Sequence, residues 1–115
     1  FTISGNGKQV RDVLHAQDLV NLYKIAYEKR NLASGKIFNI GGGVKNSLSI
    51  LELINVLKEY LGFEQVKYKF IQRRKSDQDY FVADITKVEK ILGWNPTLNI
   101  KKGLEQMIIW SKSYL

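Results

Sequence analysis

Two arginines, Arg11 and Arg74, are the side chains of this sequence best suited to binding an anionic ligand. A planar guanidinium group keeps its charge and donates paired hydrogen bonds to phosphate oxygens. A diphosphate needs two such cations from different elements, and a carboxylate such as Asp77 can accept hydrogen bonds from ribose hydroxyls. These residues predict a site for a nucleotide diphosphate. The plainer interpretation is that residues 73–75 form a solvated basic run.

The composition excludes most other kinds of site. The chain has no Cys and a single histidine, His15, so neither a disulfide nor a thiolate metal site can form. No Gly-x-Ser-x-Gly motif accompanies His15, which we interpret as a structural hydrogen-bonding residue. The acidic residues Asp77, Asp79 and Asp84 lack the spacing of a calcium loop. We therefore predict no catalytic residue and no metal ligand in this chain.

With a net charge of +7, the chain has a nucleic acid as the alternative partner to a nucleotide diphosphate. Lys67 and Lys69 alternate with Tyr68 and Phe70, so the cations and the rings should point to opposite faces of a strand. No motif of a known nucleic-acid-binding fold is present. We predict no nucleic-acid partner, although a nucleic-acid-binding domain and a free-standing nucleotide-binding or assembly module stay open as alternatives.

Length and composition indicate one folded globular domain. The chain has 115 residues, of which 44% are hydrophobic and 25% charged. No run approaches the ~20 apolar residues of a membrane span, and no secretory signal is visible. The lack of Cys favours the cytoplasm. The first residue is Phe1 rather than Met, which we interpret as processing or as a piece of a longer protein.

The elements that must position the arginines alternate between strands and helices. Apolar spacing predicts helices at about 19–30, 49–61, 85–92 and 100–114. We expect Asp18 to cap the first helix, and Ser49 with Glu52 to form a capping box on the second. Extended segments are predicted at 8–15, 36–40, 66–71 (half-buried) and 80–83. This mixed order predicts an α/β fold.

Three consecutive glycines, Gly41 to Gly43, end the predicted strand at 36–40. They permit positive φ and a close approach of the backbone to a neighbour. They do not form the Gly-x-Gly-x-x-Gly motif that opens a dinucleotide-binding helix, and that motif occurs nowhere in the chain. No residue is assigned to cofactor binding, but a strand-end loop that passes close to a cofactor stays open as an interpretation of this triplet.

Five blocks, in this order, resemble the C-terminal part of extended short-chain dehydrogenases/reductases that act on sugar nucleotides. Together they reach along nearly the whole chain. They are Gly5–His15 (GNGKQVRDVLH), Phe38–Gly43 (FNIGGG), Ser49–Leu53 (SILEL), Arg74–Gln78 (RKSDQ) and Leu92–Pro96 (LGWNP).

The resemblance implies a fold and a function. Residues 1–43 would be the C-terminal strand–helix elements of a Rossmann-type domain, and residues 44–115 most of the small α/β substrate-binding lobe. Such enzymes use NAD to oxidise a sugar carbon and then return the hydride to the opposite face. Arg11 and Arg74 match the arginines that grip the substrate diphosphate, and Asp77 matches the residue that reaches the ribose. The wording around Arg11 and Asp77 most resembles enzymes acting at C2 of a CDP-linked dideoxyhexose.

Two family features are missing from the chain. The glycine-rich NAD motif is absent, and no tyrosine has a lysine four residues later. The resemblance therefore implies that NAD and the catalytic base belong to an N-terminal part, and that these 115 residues alone are inactive. It also implies a cytoplasmic, homo-oligomeric parent enzyme. Ser76 stands where many relatives have Gly.

Overall fold

The computed structural model describes residues 1–114, which form two small sheets and five α-helices. Leu115, the last residue of the predicted 44–115 lobe, lies outside the described residues. The α/β class predicted from the sequence is confirmed. In chain order the elements are β1 (Thr2–Ser4), β2 (Val10–Asp12), α1 (Ala16–Glu28), α2 (Arg30–Ala33), a 3-10 turn (Val44–Asn46), β3 (Ser47–Ser49), α3 (Ile50–Leu61), β4 (Lys69–Ile71), β5 (Tyr80–Phe81), α4 (Thr86–Leu92) and α5 (Ile100–Lys112).

Strand β2 lies at the centre of the larger sheet and carries Arg11. It pairs antiparallel with β3 and parallel with β5, so the order is β3-β2-β5. Arg11 is opposite Leu48 of β3 and Phe81 of β5. The smaller sheet pairs β1 and β4 in parallel, with Ser4 opposite Ile71. Because parallel strands end on the same side, the chain leaving β4 starts beside the end of β1.

Helix α3 forms where the sequence predicts it. The Ser49 hydroxyl accepts from the Glu52 backbone N–H at 3.2 Å, and the Glu52 carboxylate accepts from the Ser49 backbone N–H at 2.6 Å. This is the predicted capping box. Gly62 ends the helix in the left-handed region, with φ of 68°.

The prediction that Asp18 caps α1 is wrong. His15 is the cap residue, and its Nδ1 accepts from the Gln17 backbone N–H at 3.1 Å. Asp18 is 1% exposed and instead accepts from the backbone N–H and hydroxyl of Thr97, at 3.0 and 2.7 Å, and from the Leu98 N–H at 3.1 Å. The carboxylate therefore ties α1 to the segment before α5.

The core joins α1 to α4 and to the turn that follows α4. The backbone carbonyl of Asp18 accepts from the indole N–H of Trp94 at 3.1 Å, which satisfies the one polar group of that buried ring. The buried apolar cluster consists of Leu22, Val88, Leu92 and Trp94.

Two predicted strands differ from the structure. Residues 36–40 are irregular, because no strand of the described residues lies beside them to supply hydrogen bonds; Ile37 there is 84% exposed. The segment predicted at 66–71 is reduced to β4 and is exposed rather than half-buried. Phe70 and Tyr68 in this segment contact each other with ring centroids 5.5 Å apart, without a helix covering them.

Candidate ligand-binding site

Arg11 is a partly exposed cation that the fold fixes at two points. Its Nη1 donates to the carbonyl O of Val10 at 2.8 Å, and its Nη2 donates to Oδ1 of Asp77 at 2.9 Å. Its side chain is 39% exposed. A guanidinium carries five N–H groups, so several donors remain for a ligand that approaches from solvent.

Asp77 is the acidic centre of the site. Its Oδ2 accepts from Nε2 of Gln9 at 3.2 Å, while Oδ1 accepts from Arg11. The hydrogen bond from Gln9 lowers the pKa of the Asp77 carboxyl; burial opposes this, and the charges of Arg11, Arg73 and Arg74 lower the pKa further. The net pKa lies below its usual value, so Asp77 is ionised at neutral pH and has three arginines near it.

The turn before Asp77 sets the position of Arg74. The Asp77 backbone N–H donates to the Arg74 carbonyl at 3.2 Å, and the Arg74 N–H donates to the Ser4 hydroxyl at 3.2 Å. Ser76 has a φ of 76°, the only positive φ of a non-glycine residue among residues 1–114. Among those residues, the Arg74 guanidinium takes part in no hydrogen bond or ion pair. That cation is therefore available to an external anion.

Both terminal nitrogens of Arg73, by contrast, bond to residues of its own loop. Its Nη2 donates to the Asp77 carbonyl at 2.5 Å, and its Nη1 lies 2.6 Å from Oδ1 of Asp79. In the sequence Arg73 belongs to a basic run, and no spacing signal separates it from Arg74. The two neighbouring arginines thus have different roles. Arg73 stabilises the loop, whereas the guanidinium of Arg74 can bind a ligand.

The structure brings the three predicted site residues to one place. Arg11 contacts Asp77 directly, and Arg74 lies close enough for its charge to act on the Asp77 carboxyl. The guanidinium groups outnumber the carboxylates of Asp77 and Asp79, so the site keeps a positive charge. It is chemically suited to a multivalent anion, and the assignment of these residues as ligand contacts stays a prediction.

The glycine triplet packs against its own chain. A side chain at Gly41 would collide with the Asp12 carboxylate, and one at Gly42 with the carbonyl of Val13. Oδ2 of Asp12 accepts from the Gly43 N–H at 3.0 Å and from the Ala83 N–H at 3.2 Å. The predicted close approach is confirmed, but its partner is β2 rather than a cofactor. These glycines therefore do not fit an NAD diphosphate, which requires an open helix start.

Among residues 1–114, the remaining candidate groups of the sequence are His15 and the acidic side chains. His15 caps α1, as a structural hydrogen-bonding residue should. Within the described residues 1–114, no three His, Asp or Glu side chains are grouped as metal ligands require. Over the same residues, every helix is too short or too polar to cross a bilayer.

Comparison with known proteins assigns the chain to a class of sugar-nucleotide enzymes. The family model described as GDP-mannose 4,6 dehydratase matches residues 1–107. The chain therefore belongs to this family of nucleotide-sugar epimerases and dehydratases.

Two curated relatives illustrate the relationship. The CDP-paratose 2-epimerase of Salmonella typhi is 46% identical over 98% of this chain and 33% of its own length. The UDP-glucuronate 4-epimerase of Thermodesulfobacterium geofontis is 34% identical over 96% of this chain and 32% of its own length. The chain thus spans about a third of the length of these relatives.

Solved structures agree with this assignment. The UDP-glucuronic acid 4-epimerase of Bacillus cereus, in complex with UDP-glucuronic acid and NAD, matches with a TM-score of 0.88 at 30% identity. The match covers 99% of this chain and 35% of the Bacillus chain. The UDP-glucose 4-epimerase of Thermotoga maritima, with UDP-glucose, matches with a TM-score of 0.76 at 28% identity, over 98% of this chain and 35% of that one.

Proposed function

We propose that this chain is the substrate-binding portion of an NAD-dependent nucleotide-sugar epimerase of the CDP-paratose 2-epimerase type. Arg11 and Arg74 bind the diphosphate of the substrate, and Asp77 accepts hydrogen bonds from its ribose. The observation that carries the proposal is the pairing of Arg11 with Asp77 at 2.9 Å, together with the turn in which the Asp77 N–H donates to the Arg74 carbonyl at 3.2 Å. The identity of 46% with a CDP-paratose 2-epimerase supports the choice of a CDP-linked sugar.

The bonding capacity of the site fits this ligand. Arg11 keeps unused N–H donors after its bonds to Val10 and Asp77, and Arg74 has its whole guanidinium available. Each oxygen of Asp77 accepts one described hydrogen bond, whereas a carboxylate offers about four acceptor positions. A ribose hydroxyl can therefore join Asp77 without displacing Arg11 or Gln9.

We place NAD binding and the catalytic base in an N-terminal part of the enzyme. Gly41 and Gly42 pack closely against their own chain, and no Tyr-x-x-x-Lys pair is present. Residues 1–43 then belong to the end of the Rossmann half and residues 44–115 to the substrate lobe. β2 pairs with strands beyond residue 43, so the two parts share one sheet. We further propose that the parent enzyme is a cytoplasmic homo-oligomer.

The activity is tested with the full-length polypeptide that carries this sequence. Incubated with NAD and CDP-paratose, it should invert the configuration at C2 of the sugar, followed by NMR of the product. UDP-glucose and UDP-glucuronic acid should react far more slowly. Faster conversion of either UDP-sugar would overturn the CDP assignment. Epimerisation by the 115 residues alone would overturn the proposal that they only bind substrate.

A further inference from the structure

The side-chain amide of Gln9 connects three parts of the site. Gln9 lies between β1 and β2 and is 4% exposed. Its Nε2 donates to the carbonyl O of Ser4, where β1 ends, at 2.5 Å, and to Oδ2 of Asp77 at 3.2 Å. Both partners are acceptors, so the orientation of the amide follows from its contacts. The two amide hydrogens are therefore both in use.

Gln9 and Arg11 divide the Asp77 carboxylate between them. Gln9 holds Oδ2, and Arg11 holds Oδ1 at 2.9 Å. The bond to Gln9 restricts rotation of the carboxylate, so its other oxygen presents a better-defined acceptor to the guanidinium. The second anchor of Arg11 is its bond to the Val10 carbonyl at 2.8 Å. The direction of the remaining Arg11 donors thus depends on the bond from Gln9 to Asp77.

We propose that Gln9 is a positioning residue, which orients the Asp77 carboxylate and through it aims Arg11 at an anionic ligand. The identity of that ligand as a diphosphate rests on the proposed function, whereas the chain of contacts from Gln9 to Arg11 does not. The buried amide keeps one unmatched atom, because Oε1 has no partner within residues 1–114. Burying a polar atom without a partner is unfavourable, so the two bonds that Nε2 makes must offset this cost.

Other charges face the same carboxylate and must be counted in any titration. Arg11 approaches from β2, and Arg73 and Arg74 approach from the loop that follows β4. The Asp79 carboxylate is paired with Arg73 at 2.6 Å. Of the groups that lower the pKa of the Asp77 carboxyl, the hydrogen bond from Gln9 has the largest effect. Removing that bond should therefore have an effect separable from the arginine charges.

The first experiment needs no ligand. The Asp77 carboxyl is titrated by side-chain carbon NMR in the full-length polypeptide that carries this sequence, as the wild type and as the variants Gln9→Met and Gln9→Glu. The titration midpoint should move upward in Gln9→Met, which loses the donor, and further upward in Gln9→Glu, which adds a like charge. A midpoint unchanged in both variants would overturn the proposal. If Gln9→Met does not fold, the nearly isosteric Gln9→Glu provides the same test.

The second experiment uses inorganic pyrophosphate as the probe, followed by NMR shifts of the Arg11 side chain. Gln9→Met should raise the pyrophosphate Kd on the order of two- to tenfold, less than the full worth of a hydrogen bond to a charged group, because Gln9 reaches the ligand only through Asp77 and Arg11. If Gln9 acts through Asp77, Gln9→Met should add nothing in an Asp77→Ala background, and multiplying effects would contradict that route. Failure of the CDP-sugar assay alone would refute the proposed function and leave the Asp77 titration as it is.

Discussion

Replacing Asp18 by Asn should cost this fold a large part of its stability. The substituted side chain keeps one oxygen for Thr97 but turns an NH₂ group toward the Leu98 N–H, which now donates to the carboxylate at 3.1 Å. Losing a hydrogen bond to a charged group costs about 1.5–3 kcal/mol, and an unpaired buried donor adds to this. We expect the free energy of unfolding to fall by about 2–4 kcal/mol. With a urea m-value of about 2 kcal/mol/M, the midpoint then falls by about 1–2 M.

The assay is urea unfolding of the chain, followed by fluorescence of the buried Trp94, which is 2% exposed. The matched control is Asp84→Asn, because Asp84 is exposed and accepts one bond, from the Thr86 N–H at 3.0 Å. Asn also accepts well at such a position, so the control should move the urea midpoint far less than Asp18→Asn does. Equal midpoints for the two variants would refute the account of Asp18 as the tie between α1 and the segment before α5.

Three further predictions concern backbone strain, packing and pH. Ser76→Gly should raise the free energy of unfolding by about 0.5–1 kcal/mol in the same urea assay, because φ is 76° and Gly adopts it without strain; a loss would contradict this. Gly42→Ala should cost at least ~2 kcal/mol through collision with a carbonyl, whereas Gly35→Ala, with open space but φ of 70°, should cost only about 1 kcal/mol; the reverse order would be inconsistent with the packing. For the Asp18 carboxyl, burial raises the pKa, but the hydrogen bonds from Thr97 and Leu98 outweigh it and the folded pKa is lowered. Its contribution is therefore present above the unfolded pKa of about 3.9 and lost as the pH falls through the folded value. Urea midpoints measured across that range should fall less steeply in Asp18→Asn than in the wild type.

Helix α3 could be predicted because its signals are local. Ser49, Glu52 and Gly62 lie within or next to the helix, and each acts on the backbone beside it. Strands β1 and β3 have three residues each, with one buried apolar residue between two more exposed polar ones, and a pattern this short does not predict a strand without its partner. The segment 36–40 is predicted to be a strand from its own residues, but it is irregular, because no strand of the described residues lies beside it.

In the site, residue type was enough to select Arg11 and Arg74 but not to find what holds them. Gln9 donates hydrogen bonds to both Ser4 and Asp77. These two residues lie close together because β1 and β4 pair in parallel. The difference between Arg73 and Arg74 likewise depends on how the loop turns at Ser76. Such roles depend on tertiary contacts between residues far apart in the sequence, which spacing alone does not reveal.

The central claim is that two arginines bind one diphosphate, and Arg74 offers the cleanest test of it. Its guanidinium makes no hydrogen bond or ion pair within residues 1–114, so Arg74→Ala removes a ligand contact without removing a described internal one. The measurement is the Kd of a CDP-linked hexose and of NAD for the full-length enzyme, with Lys75→Ala as the charge-matched control. Arg74→Ala should weaken CDP-hexose binding by about 10- to 150-fold, the range of about 1.5–3 kcal/mol for a charged hydrogen bond, and leave NAD binding and the control unchanged. Equal losses for both ligands, or an equal loss in Lys75→Ala, would contradict the claim.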